Sequence, residues 1–288
     1  TIPIARLAEA SLRPERVVGM HFFSPVPKMP LLEVIRHPGT APEALAAAVA
    51  AGRRMGKTVV VVEDGPGFFT SRVLAPYLNE AAWLLLEGAR VEQVDAALTA
   101  WGWPVGPFEL LDEVGLDIAR HASEVLAPAL GPRLEPPPIF ARLIEEQRLG
   151  RKSGRGFYLY GEGGKRVDPD VYRLVEWRER PHSDQEIVER CWLQMINETA
   201  RCMAEGILTD PAQVDIAVLF GFGFPPFRGG LLREADRVGL AAVVEKLERY
   251  AQLHGPQGQR LEPAPLLRDM ARRGATFHGG GHSAGPGG

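Results

Sequence analysis

Cysteine is nearly absent: Cys191 and Cys202 are the only two in 288 residues. Both fall in one helical-looking stretch, at a spacing that matches no zinc-ligand pattern. That excludes a disulfide framework and a metal site, and reads the pair as buried thiols. No apolar run approaches the roughly 20 residues a membrane helix requires. The N-terminal segment has neither the basic nor the apolar region of a secretory signal, so no membrane span is expected and the cytoplasm is the expected location. A charge excess is also missing. With 33 basic against 36 acidic residues the formal net charge is -3, which removes the electrostatic case for a nucleic-acid partner. No Gly-x-Gly-x-x-Gly follows a strand, and no acidic residue stands about 20 positions beyond one, so the dinucleotide fingerprint is lacking. The chain also lacks an initiating Met. It begins at Thr1 in "TIPIARLAEAS", which reads as the start of a helix and as a piece of something longer.

What is present is an ordinary globular mixture, 45% hydrophobic and 24% charged, long enough for two domains. Three β-like runs, 16 to 23, 31 to 35 and 58 to 64, enclose one helical pattern, with Thr40 as N-cap, Pro42 in the first turn and Gly56 near the stop. That strand, helix, strand order resembles the closing part of an α/β sheet, and a domain boundary is expected near Asp64. From Gly65 the pattern turns helical, with Pro76 expected to kink the first helix. Further helices are expected at about 91 to 101, 107 to 113, 115 to 127 and 138 to 148, followed by the Gly-rich loop and aromatic strand of "GRKSGRGFYLY". Residues 161 to 184 read as a linker. The Gly-rich end from His278 cannot bury enough apolar surface to offset its chain entropy, so its two histidines read as belonging to a disordered tail, not a metal site.

The helical region repeats. "YLNEAAWLLLEGARVEQVDAALTAWGWPVGPFELLDEVGL" aligns with "MINETARCMAEGILTDPAQVDIAVLFGFGFPPFRGGLLREADRVGL". Asn79, Glu80, Glu87 and Gly88 match Asn197, Glu198, Glu205 and Gly206 at one constant offset; small insertions then carry Asp95 onto Asp215 and Trp103-Pro104 onto Phe224-Pro225. Two copies of a unit that buries an apolar face most simply pack about a pseudo-two-fold axis, as a pseudo-dimer within one chain. Two independent modules are the alternative.

"GMHFFSPVPKMPLLEV" sets His21 at the end of one apolar run and Glu33 twelve residues on inside another. An imidazole accepts protons at neutral pH, and a buried carboxylate on its far nitrogen would fix its tautomer and stabilise the imidazolium. Glu33, in "PLLEVIR", needs such a partner, because an unpaired buried charge is costly. On residue type alone, a satisfied core or surface role for each stays open.

Three motifs, "GMHFFSPVPKMPLLEVI", "DGPGFFTSRVLAPYLNEA" and "GRKSGRGFYLY", are similar in order and spacing to those of the L-3-hydroxyacyl-CoA dehydrogenase family. The repeat and the wording "GFGFPP" look most like its multifunctional members, the α-subunits of fatty acid β-oxidation complexes. The resemblance runs from Thr1 to about residue 250. It implies His21 as the base that takes the proton of a 3-hydroxyacyl-CoA substrate while NAD accepts hydride, with Glu33 as the paired acid. It implies contacts to the cofactor from Ser24, where the family has Asn, and from Lys152. Ser71 stands where single-function members carry a substrate-binding Asn; it reads equally as a helix-start residue satisfying backbone donors. Near Glu234 the multifunctional members have an aromatic, which puts a substrate contact there in doubt.

The fold so implied is mainly α, with a partial Rossmann-like α/β remnant at residues 1 to 64 and two helical units of the 6-phosphogluconate dehydrogenase C-terminal-like type at 65 to 160 and 185 to 275. Residues 276 to 288 form the expected disordered tail. The Gly-rich NAD-binding half is expected to lie upstream of Thr1, leaving this chain inactive alone. Two other readings compete: a non-catalytic helical module docking a thiolase β-subunit, and a short-chain 3-hydroxybutyryl-CoA dehydrogenase.

Overall fold

The computed structural model describes residues 2 to 279. After a short helix α1 (Ile4–Glu9) the chain forms strands β1 (Gly19–Phe22) and β2 (Leu31–Arg36), helix α2 (Pro42–Arg54) and strand β3 (Thr58–Glu63). The sheet order is β1-β2-β3, with β1 antiparallel and β3 parallel to β2. Strand periodicity sorts β2 onto two faces. Leu32 and Val34 pack with Ala48 of α2, whereas Leu31 and Ile35 join the large core shared with the helices. Glu33 lies between those two and therefore faces the helical body. Thr40 does not cap α2. Ala41 is the N-cap, and the Thr40 hydroxyl instead accepts the His37 N–H and donates to the Val17 carbonyl, tying the segment before β1 to the loop after β2.

Helices α3 (Thr70–Leu86), α4 (Val91–Trp101), α5 (Pro107–Val114), α6 (Leu116–Leu130) and α7 (Pro138–Glu145) follow, and α3 continues through Pro76 without a break. Strands β4 (Tyr158–Gly161) and β5 (Gly164–Val167) form a hairpin. The segment expected to be a linker is a strap packed on the first helical unit. Val171 and Val175 are buried, Asp168 ion-pairs with buried Arg148, and the Tyr172 and Trp177 rings meet at a tilt with centroids 4.4 Å apart. Polar spacing hid these anchors. A second helical unit comprises α8 (Asp184–Ala204), α9 (Pro211–Phe222), α10 (Leu231–Val238), α11 (Leu240–Leu253) and α12 (Pro265–Arg272). Cys191 and Cys202, on α8, are free and buried, and burial pushes both thiols up.

Helices α3 and α8 face each other through reciprocal buried ion pairs. Arg72 donates to Glu198 (2.7 Å) and Glu205 (2.6 Å), and Arg190 donates to Glu80 (2.7 Å) and Glu87 (2.6 Å). Each partner lies at the offset of the sequence repeat. Both guanidinium groups are wholly buried, and Arg133 on Glu198 and Arg260 on Glu80 complete the two clusters. A second set of contacts also occurs twice. Asp95 accepts the Phe108 and Glu109 N–H groups at the start of α5, and Asp215 accepts the Leu232 N–H at the start of α10. Asp112 accepts the N–H groups of Phe157 and Tyr158, and Asp236 those of Phe277 and His278. Tyr158 donates its hydroxyl to Asp95, and His278 Nε2 lies 2.8 Å from Asp215. The expectation of a disordered tail from residue 276 is thus wrong for Phe277 and His278, which dock on buried carboxylates despite the glycines after them. The rest of that tail, 280 to 288, lies outside the described residues.

Candidate active site

The antiparallel register sets His21 directly opposite Glu33, on the face that looks toward the helices. His21 Nδ1 lies 2.6 Å from Glu33 Oε2; the His21 side chain is 32% exposed and that of Glu33 fully buried. Glu33 accepts two further hydrogen bonds, from the Thr70 N–H to Oε1 (2.9 Å) and from the Thr70 hydroxyl to Oε2 (2.7 Å). Thr70 is the first residue of α3, whose N-cap, Phe69, offers no side-chain acceptor. The carboxylate on β2 therefore caps that helix from outside, where unpaired N–H groups and the helix dipole favour an anion. Three donors on an ionised, buried carboxylate satisfy it without leaving an uncompensated charge.

An ionised Glu33 is acceptor-only, so His21 Nδ1 carries the proton and Nε2 presents its lone pair. Nε2 has no hydrogen-bond partner among the described residues. The imidazole is flanked by the rings of Phe23 (4.7 Å) and Phe68 (5.8 Å). Phe68 has φ +54°, a left-handed conformation that costs an aromatic residue about 1 kcal/mol or more and turns the chain from Gly67 into α3. The second helical unit supports the same spot. A Cβ on Gly221 of α9 would stand 2.8 Å from Leu31 Cδ2 and 3.4 Å from Thr70 Cγ2, so the glycine lets α9 approach closely.

Of the other residues singled out in the sequence, Ser71 is partly buried as the second residue of α3, and Ser24 is exposed just past β1. Lys152 sits on a short turn, its ammonium held by Asp117 of α6 and by neither member of the dyad. Glu234 is buried and taken up by Arg228 and Arg237. Thr70 is the residue that sequence reasoning missed, although "GFFTSR" displays it beside Ser71. Among the described residues no cluster of three or more His, Cys, Asp or Glu could hold a metal, and no helix is long and apolar enough to cross a membrane.

Two family models match the chain. That of the 3-hydroxyacyl-CoA dehydrogenase NAD binding domain covers residues 1 to 65, and that of the 3-hydroxyacyl-CoA dehydrogenase C-terminal domain covers 67 to 160 and 187 to 281. The fatty acid oxidation complex subunit alpha of Shewanella amazonensis is 49% identical over 282 residues, covering 96% of this chain and 40% of that protein. The corresponding subunit of Idiomarina loihiensis is 47% identical over 281 residues, with 39% of its length covered. The chain thus spans about 40% of the length of these curated relatives. Among solved structures it is similar to 3-hydroxybutyryl-CoA dehydrogenase of Escherichia coli K12, with TM-score 0.81, 25% identity, and coverage of 95% of this chain and 74% of that one. The dehydrogenase part of multifunctional enzyme 1 from C. elegans gives TM-score 0.65 and 26% identity over 93% of this chain and 63% of that one.

The match over residues 1 to 65 does not support the expectation that this chain lacks the NAD-binding half; that stretch is itself matched as NAD-binding domain. The reacting end of NAD fits the residues present, because the His21 ring is 32% exposed and its Nε2 carries no hydrogen bond among the described residues. The pyrophosphate asks for the N–H groups of a Gly-rich turn entering a helix. The turns after β2 ("HPGTA") and β3 ("DGPGFF") are not of that form, so no step is assigned to them. Fold, dyad and both matches agree, and the chain belongs to the 3-hydroxyacyl-CoA dehydrogenase family.

Proposed function

We propose that this chain carries the proton-abstracting site of an NAD-dependent 3-hydroxyacyl-CoA dehydrogenase, oxidising 3-hydroxyacyl-CoA to 3-ketoacyl-CoA in fatty acid β-oxidation. The observation that carries the reading is the 2.6 Å contact between His21 Nδ1 and a wholly buried Glu33. Held in that tautomer, Nε2 takes the proton of the substrate 3-hydroxyl, and Glu33 stabilises the imidazolium that results. When bound, NAD would supply the acceptor for the hydride leaving the carbon that bears that hydroxyl. In this reading Ser71, next to Thr70 at the start of α3, hydrogen-bonds the substrate, and Ser24, exposed just past β1, meets the nicotinamide end. Lys152 serves the cofactor only by leaving Asp117.

The two helical units are read as copies of one module, packed as the subunits of a dimer pack. The reciprocal Arg72 and Arg190 clusters and the paired Asp95 and Asp215 contacts support this. The chain then divides into the α/β portion at 1 to 64 and helical units at 65 to 160 and 185 to 275. The relatives are named as subunits of a complex, and a thiolase β-subunit is the partner proposed for it. A short-chain 3-hydroxybutyryl-CoA preference is favoured by the likeness to the E. coli enzyme, and a substrate series of increasing acyl length separates the two readings.

The test is NADH formation from 3-hydroxyacyl-CoA by the protein at full length. His21→Gln is expected to lower kcat by roughly 10²- to 10⁴-fold while the melting temperature holds. Undiminished turnover in that variant refutes the assignment of the base.

A further inference from the structure

Thr70 grips both oxygens of Glu33 at once, with its backbone N–H on Oε1 and its hydroxyl on Oε2, the oxygen that also faces His21. The residue is 1% exposed, so no water competes for either bond. Its methyl lies toward Gly221, where an added Cβ would stand 3.4 Å from it, while the hydroxyl is turned to Glu33. Two donors from one residue fix the plane of the carboxylate, because rotating it breaks both bonds together. The hydroxyl also draws negative charge away from Oε2. A carboxylate so shared pulls less strongly on an imidazolium than one bound by His21 alone.

We propose that the Thr70 hydroxyl is a positioning residue of the dyad: it orients Glu33 toward His21 Nδ1 and moderates the pair, so that the imidazole returns to its neutral, proton-accepting form between turnovers. This rests on the reading of His21 as the base. A backbone N–H alone would cap α3 and hold the carboxylate; the side chain adds the second anchor and the sharing of Oε2. Valine has the same shape and no donor, and serine keeps the donor without the methyl.

The experiment compares Thr70→Val, Thr70→Ser and His21→Gln in the protein at full length, by NADH formation across pH, with thermal melts alongside. Thr70→Val is expected to lower kcat about tenfold, to leave KM within about twofold, and to move the acid limb of the pH–rate profile upward by about half a unit to one unit. Thr70→Ser should recover both rate and limb. A purely structural threonine would change the melting temperature without displacing the limb. Should the valine variant not fold, Thr70→Ser and Thr70→Ala carry the same comparison, since they differ only by the hydroxyl. Loss of activity in His21→Gln, with wild-type rate and limb in Thr70→Val, overturns the Thr70 assignment alone. A serine variant as impaired as the valine one does so too. Full activity in His21→Gln overturns the base assignment and this inference with it.

Discussion

Replacing Arg190 by methionine removes the centre of one buried cluster while keeping much of the side chain's volume. The fully buried Glu80 carboxyl is pushed up by burial, but Arg190 and Arg260 overcome this and hold it at about 2, against 4.5 for the free group. A displacement of that size corresponds to about 3 kcal/mol of preference for the ionised form in the folded state. Removing one partner of a buried ion pair costs about 3–5 kcal/mol. Arg260, still 2.7 Å from Glu80, keeps the loss near the lower end of that range. For a chain of this size about 3 kcal/mol is a fall of roughly 6–12 °C in Tm. The stabilisation from ionised Glu80 is fully present above its unfolded pKa of 4.5 and is lost as pH falls through about 2. Urea denaturation of both proteins across pH should therefore show the widest gap at neutral pH, narrowing on acidification below 4.5. A gap under about 1 kcal/mol at neutral pH, or one that stays constant on acidification, would refute the reasoning.

Burial pushes Asp95 and Asp112 up to about 6, against hydrogen bonds from Tyr158, Phe108 and Glu109 to the first and from Phe157, Tyr158 and Tyr160 to the second. Folded-state values above the ordinary 3.8 mean that the folded state holds these protons more tightly, so their contribution to stability falls as pH rises from 3.8 through about 6. Carboxyl carbon NMR titrations should show midpoints near 6 for both, and ordinary midpoints would contradict this account. His278→Ala leaves Asp215 without its imidazole partner and should cost about 1–2 kcal/mol in denaturant melts, with earlier proteolysis near residue 277. Unchanged stability would make that docking incidental.

The strand, helix, strand order and the helix sequence from Gly65 to residue 148 were legible because apolar periodicity and turn residues mark them. His21 and Glu33 were legible as candidates because a lone carboxylate in "PLLEVIR" demands a partner. Their opposition follows from strand register, which residue types alone do not contain. Thr70 stayed hidden because a threonine at a helix start has an ordinary role, and only the packing of α3 on β2 gives it a carboxylate. The strap at 161 to 184 and the docking of Phe277 and His278 were missed for a shared reason. Composition describes a segment's average, whereas two or three anchors such as Val171, Asp168 and Phe277 decide whether it is held.

Because Arg72 and Arg190 each grip the opposite helix of the same polypeptide, their mutual clasp is a unimolecular event. Mass action has no hold on it: dilution, which drives the subunits of an ordinary dimer apart, leaves these halves together. Nor must both sides be alike: a tyrosine hydroxyl at 158 meets Asp95 on one side, and an imidazole at 278 meets Asp215 on the other.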